Sequence, residues 1–398
     1  MMIKPADKSL KKNAIAAFVL AIPSQIISIC VPLALIIGQQ KITRFSLGLL
    51  LMVGCAFIAS VNSTRVLDAD LYNYSQRSLD LSELNGIQAL EYSPEFVYYF
   101  LNWFVVRVLG LDFLDFFLMI NFMTYLLSVK AIENFPSMQQ KTIPLHYTLI
   151  CGLLFLTSPV LFEQSSHLVR QYFAMGLMLF AFSRMISGRS SLIWIGLALF
   201  THVSSAIFLL AWVPMISKTK NNLFLQSIFH IFTLSILILS IPQIVTILSS
   251  LTGLGYFAYG ETRIGEGLFA ELNPLGFAGK FVIWIHLFLS ISLVLKGKNS
   301  ISQNKITSVA IAFLLIDSAI LLSDTLNIHE ISVRFAQFVY FTLPILFLMS
   351  HHVSPWLTYL CASLVFFQVS SFLLRGLNWE YSFDVLNMFL PAYMEFFI

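Results

Sequence analysis

Apolar runs close to 20 residues long, divided by short polar loops, recur along the whole chain, and that period is the signature of membrane-spanning helices. The runs fall at 14–37, 45–61, 112–131, 144–162, 168–187, 223–249, 275–296, 304–323, 332–350 and 354–374. Two stretches break the pattern. Residues 95–110 are short and carry Glu95, Asn102 and Arg107. Residues 190–216 are long enough to span, but Thr201-His202-Val203-Ser204-Ser205 divides them. The pattern predicts an all-α polytopic membrane helix bundle of about 10–12 transmembrane helices over 1–398, a single membrane domain.

Loop charge orients the bundle. The Lys- and Arg-bearing short loops at 130–141, 184–189, 218–220 and 296–305 belong on the cytoplasmic side. That arrangement requires 190–216 to enter and leave on one face as a re-entrant pair, and 95–110 to lie on the outer face as an interfacial helix. Outer loops then cover 62–111, 163–167, 250–274 and 324–331. Lys4, Lys8, Lys11 and Lys12 favour the inside, whereas this count of spans puts them outside. The first apolar run has no small-residue cleavage pattern after it and reads as a retained helix.

Composition agrees with a membrane bundle: 58% of residues are hydrophobic and 11% charged, where soluble domains average near 25% charged. The net charge of +3, with no basic run, points away from nucleic acid. Cys30, Cys55, Cys151 and Cys361 all sit in apolar stretches and read as small core residues, not a disulfide or metal set.

Chemistry concentrates where polar groups interrupt apolar runs. Glu163 to Tyr172 place His167 and Arg170 three apart, on one helical face, at the mouth of a run whose remaining residues to Ile186 hold one charge. An arginine kept in such a place meets either an anion or a partner acid. Arg334 stands in a similar position after Asn327, His329 and Glu330. Guanidinium grips phosphate oxygens with two prongs, so two such groups suit a diphosphate; the plainer reading pairs them with Glu163 and Glu330. His202 reads as a general base or as a hydrogen-bonded core histidine. Asp68 and Asp70 read as a general base, a divalent-cation site (not the favoured reading) or a solvated acidic loop. His167 and His329 read as interfacial. The glycines from Gly253 to Gly267 form no phosphate-binding loop, so no nucleotide hydrolysis is implied. Tyr72, Tyr74, Tyr98, Tyr99 and Trp103 form an aromatic group on the outer surface, an interfacial belt or a platform for sugar rings.

In order, Arg65, Asp70 and Tyr74, then Glu95 with Tyr98-Tyr99-Phe100-Leu101-Asn102, Arg170-Gln171-Tyr172-Phe173-Ala174, Phe200 to Ala206, Arg334-Phe335 and Tyr340-Phe341 resemble the EpsG-like family, which includes Wzy-type O-antigen polymerases. The resemblance covers roughly 60–380. Where the family often has Gly-Thr before the aspartate, this chain has Asp68-Ala69. The resemblance implies a type C glycosyltransferase-like fold in the bacterial inner membrane. It implies polymerisation of repeat units on the outer face, from undecaprenyl-diphosphate-linked donor and acceptor, without a cofactor and alongside a chain-length regulator protein. It implies catalytic roles for His202 or Asp70 on the acceptor hydroxyl. It implies substrate-binding roles for Arg170, Arg334, Gln171, His167, Glu95, Arg65, Tyr74 and His329. Different classes remain open: a lipid-linked oligosaccharide flippase or transporter, or a polyprenyl-linked glycan ligase. A flippase is expected to line its cavity with charge across the full membrane depth, whereas here the one acid in mid-segment is Asp317 and the other polar clusters sit near one face.

Overall fold

The computed structural model describes residues 43–63, 67, 69–135, 143–206, 246–247, 250, 276–296, 301–326, 329–351 and 356–376. Among these residues there are helices and turns and no strand. The runs read at 14–37 and, but for its last few residues, 223–249 lie outside the described residues, as do 251–274 of the outer loop and Arg65 and Asp68. Three described helices are long and apolar enough to cross a membrane, or four if one bent pair counts as a span. The chain is a helical membrane bundle.

Two compact units divide it, one of 1–203 with 355–398 and one of 204–354. The first contains α1 (Arg44–Ser63), α2 (Ala69–Glu83), α3 (Gly86–Glu91), α4 (Phe96–Trp103), α5 (Phe113–Asn134), α6 (Leu145–Leu156), α7 (Pro159–His167), α8 (Val169–Ile186), α9 (Leu192–Thr201) and, near the end of the chain, α13 (Leu357–Gly376). The second contains α10 (Phe277–Lys296), α11 (Ile301–Thr325) and α12 (His329–Ser350).

Small residues set the packing of the first unit. Gly176 of α8 lies so close to α5 that an added Cβ would stand 3.0 Å from the Thr124 carbonyl oxygen. Gly54 and Gly152 let α1 and α6 approach until Leu156 and Leu51 fill the space a methyl would need. Close backbone approach of this kind is the main source of helix association where lipid gives no hydrophobic gradient. Polar side chains lock the same bundle: Asn62 of α1 donates to Asn121 of α5 at 3.3 Å and to Ser165 of α7, all three buried.

Three sequence expectations change. The run 144–162 is not one span. It breaks after Leu156, and α6 and α7 bend by 46°. Pro159 cannot donate into the preceding turn, and it holds Ser158 in extended backbone, where the Ser158 hydroxyl accepts from Leu161 N and starts α7. Residues 163–167, expected as an outer loop, are the end of α7. The 62–94 loop is largely helical as α2 and α3. Leu71, Tyr74, Ser78 and Leu81 recur at helical spacing along α2, and Asn85 and Gln88 form a reciprocal capping box at the start of α3.

The short 95–110 element is present as α4 and a π turn, Phe104–Val108, that stops at Gly110 with φ +69°. In 190–216 the helix ends at Thr201; His202 is extended, and residues 207–216 lie outside the described residues.

In the second unit one buried side-chain chain joins all three helices. His286 Nδ1 of α10 lies 2.8 Å from Asp317 Oδ2 of α11, and its Nε2 lies 2.9 Å from Thr342 Oγ1 of α12. Thr342 already donates to the Phe338 carbonyl at 2.7 Å, so Nε2 is the donor in the His286–Thr342 bond.

Candidate functional site

The first unit gathers most of the expected residues around the start of α8. The α7–α8 junction at Leu168 re-aims the chain, so that His167 ends one helix and Arg170 sits in the first turn of the next. A cation at a helix N-terminus opposes the helix dipole, so Arg170 is not there for the stability of α8. Its partners come from other elements. Arg170 Nη1 donates to Glu95 Oε2 at the N-cap of α4. Nε reaches the Tyr74 hydroxyl of α2 at 3.5 Å. The guanidinium carbon lies 5.7 Å from the Tyr74 ring centre and 5.5 Å from that of Tyr99, within cation–π range of both. The acid beside Arg170 is therefore Glu95, not the sequence-adjacent Glu163.

Glu95 faces two ways. While Oε2 holds Arg170, Oε1 lies 3.8 Å from His202 Nε2. The Glu95 side chain is 7% exposed, and those of His202 and Arg170 are 13% and 23%. A carboxylate so far removed from water is tolerated because a cation balances it. The extended backbone at His202, just past the end of α9, turns this histidine toward Glu95. Arg170, Glu95 and His202 thus form a chain of acid and base groups that is mostly buried but open at the arginine. The Nη2 group of Arg170 has no acceptor among the described residues.

A second pair lies nearer water. His167 Nδ1 is 3.8 Å from Asp70 Oδ2, with Asp70 more than half exposed. Asp70, Tyr74 and Arg77 follow one another at spacings of four and three on α2, along one helical face. Arg77 Nη1 donates to the Tyr99 hydroxyl at 2.9 Å.

The aromatic group is mostly interior, not a surface belt. Tyr98 and Tyr99 are buried, Tyr98 meets Tyr74 edge-on, and the Trp103 indole donates to the Leu84 carbonyl at 3.0 Å; Tyr72 alone of the five is largely exposed. Burial, with the Tyr74 phenol next to it, pushes the Tyr98 hydroxyl well above the usual tyrosine range, so it is a neutral group.

Seven of the expected site residues are thereby placed in the first unit: Asp70, Tyr74, Glu95, His167, Arg170, Gln171 and His202. Gln171 is buried beside Arg170 but, one residue along the helix, does not share its face. His329 and Arg334 belong to the second unit, at the start of α12, with Arg334 half-buried. Arg77 and the orienting part of Tyr99 were not anticipated as site residues. The signal was the four-and-three spacing from Asp70 through Tyr74 to Arg77, which is informative only once 69–83 is known to be helical.

Neither a curated protein nor a solved structure matches the chain. A family model, that of the EpsG family, matches residues 16–383, and the chain belongs to that family, whose membership points to a membrane-bound function of the polysaccharide-polymerase type.

Proposed function

We propose that the protein is a glycosyltransferase that polymerises undecaprenyl-diphosphate-linked oligosaccharide repeat units into O-antigen or exopolysaccharide at the periplasmic face of the bacterial inner membrane. The observation that carries the reading is the Arg170–Glu95–His202 chain, which pairs an anion-binding group with an acid–base group inside one helical unit.

In the reaction, a hydroxyl of the acceptor repeat unit attacks the anomeric carbon of the donor glycan. The bond from that carbon to the diphosphate oxygen breaks, and undecaprenyl diphosphate departs. The hydroxyl proton goes to a base. His202 is suited to take it, because the carboxylate at 3.8 Å stabilises the imidazolium that results. The Asp70–His167 pair is the other candidate, closer to solvent. Arg170 meets the charge that develops on the leaving diphosphate through N–H groups the protein leaves unused, and preorganised donors of this kind are among the strongest contributors to catalysis. The tyrosines on either side hold the guanidinium in place and present aromatic faces. Glu95 is proposed as a group that positions the sugar, and Arg334 keeps the substrate-binding role that the resemblance implies. Arg65, Tyr74, Gln171, His167 and His329 keep the substrate-binding roles that the resemblance implies. A chain-length regulator protein is the proposed partner.

Deletion of the gene followed by gel analysis of the surface glycan tests the reading. A polymerase leaves a single repeat unit attached and no ladder. Loss of every repeat unit points instead to a flippase or a ligase. The flippase reading needs an intramembrane charge available to a moving substrate, and Asp317 is buried against His286.

A further inference from the structure

We infer that Arg77 is the second cation of a diphosphate clamp that the first unit builds from its own residues, with the Tyr99 ring as the spacer between Arg77 and Arg170. The inference rests on the reading that a polyprenyl diphosphate occupies the Arg170 site, and adds to it a residue and a preference among phosphates.

Charge is the first reason. Glu95 neutralises Arg170, so those two groups together present no net charge to an anion. Arg77 has no carboxylate within ion-pair distance among the described residues, and it is exposed on α2. With Asp70 on the same face of α2, Arg77 is the charge that keeps this cluster from being net acidic. Geometry is the second. Arg77 Nη1 donates to the Tyr99 hydroxyl at 2.9 Å, while the Arg170 guanidinium carbon lies 5.5 Å from the centre of the same ring. Tyr99 is 2% exposed and packed against Tyr92 and Tyr98, so the ring is held as a fixed strut. The two guanidiniums therefore meet one phenol, Arg77 at its hydroxyl and Arg170 within cation–π range of its ring. Two phosphoryl groups joined through a bridging oxygen offer acceptors in two directions, one for each guanidinium; a single phosphoryl group favours one of them. Donor supply is the third reason. Arg77 spends one N–H on a neutral phenol, and its Nη2 and Nε have no acceptor among the described residues. A neutral partner fixes the arginine without cancelling its charge, which is what a phosphate-binding arginine requires.

Binding of undecaprenyl diphosphate and undecaprenyl monophosphate to the full-length protein in zwitterionic nanodiscs tests the clamp, with inorganic pyrophosphate as competitor. Arg77→Gln keeps a donor for Tyr99 and removes the charge; Arg77→Ala removes both. Both variants are expected to weaken diphosphate binding about tenfold or more, the scale of one charge-assisted hydrogen bond, and to leave monophosphate binding within about twofold. Arg77→Lys is expected to recover part of the loss. Pyrophosphate is expected to compete with the lipid in the parent and about tenfold less well in Arg77→Gln. The clamp is overturned if both variants bind undecaprenyl diphosphate as the parent does while Arg170→Ala does not; the Arg170 reading then survives without Arg77. It is also overturned if Arg77→Gln weakens both lipids equally, which would make Arg77 a general surface charge. If Arg170→Ala binds undecaprenyl diphosphate normally, the underlying site reading fails and the clamp fails with it.

Discussion

Replacing Arg170 with methionine leaves the Glu95 carboxylate 7% exposed and without its guanidinium. Removing one partner of a buried ion pair costs about 3–5 kcal/mol, and the partial exposure of Arg170 places this pair near about 3 kcal/mol. Glu95→Leu strands Arg170 instead, and its cost is smaller, about 2 kcal/mol, because a guanidinium with a solvent-facing edge is partly rehydrated. The double variant Arg170→Met/Glu95→Leu has no stranded charge and is expected within about 1 kcal/mol of the parent, as replacement of buried ion pairs by apolar side chains commonly is. The coupling from that cycle is then about 4 kcal/mol, the amount by which the two single costs together exceed that of the double. Reversible unfolding in mixed micelles by a denaturing detergent, followed by tryptophan fluorescence, measures all four proteins. A gel of the surface glycan separates stability from chemistry, since the double variant is expected to fold normally and to make no ladder. Single variants whose costs simply add to give that of the double would show that the pairing is energetically empty. A normal ladder from the stable double variant would remove Arg170 from the reaction.

Other perturbations have outcomes of similar sharpness. His202→Ala, at normal protein level, is expected to lower polymer synthesis by roughly a hundredfold or more, the scale of lost general-base catalysis, read as glycan formed per unit time in membranes; unchanged synthesis would move the base to Asp70–His167. Gly176→Ala is expected to destabilise by about 1–3 kcal/mol, because its methyl meets the Thr124 backbone, which cannot move aside. Gly196→Ala, with open space around it, is expected to stabilise α9 by roughly 0.5–1 kcal/mol, and melting of the two variants side by side checks the contrast. Asp317→Ala is expected to cost about 1–3 kcal/mol by leaving His286 Nδ1 without its partner, with Asp317→Asn costing less; a parent-like unfolding midpoint for Asp317→Ala would show that the bond contributes nothing.

The membrane character, the all-helical class and the positions of several apolar helices follow directly from the sequence, because lipid admits only backbones that satisfy their own hydrogen bonds and so demands long apolar runs. The family was legible too: the resemblance, read over roughly 60–380, lies within the residues 16–383 that the EpsG family model matches. The limits of the local pattern appear at α2 and α3. Their polar faces lower the hydropathy below that of a span, so 62–94 reads as a loop even though Leu71, Tyr74, Ser78 and Leu81 follow a helical repeat. The 144–162 run shows the opposite error: its apolar character continues across Ser158-Pro159, but the backbone there cannot.

Partner choice was beyond the sequence altogether. Chain proximity makes Glu163 the natural acid for Arg170, yet Glu95 holds it, and Glu95 also faces His202 across more than a hundred residues of chain. Sequence fixes which groups must avoid lipid and water; only the packing of α2, α4, α8 and α9 decides which of them meet. A buried charge is compensated by whichever opposite charge the fold brings within reach, and that distance is a property of the assembled helices, not of the spacing along them.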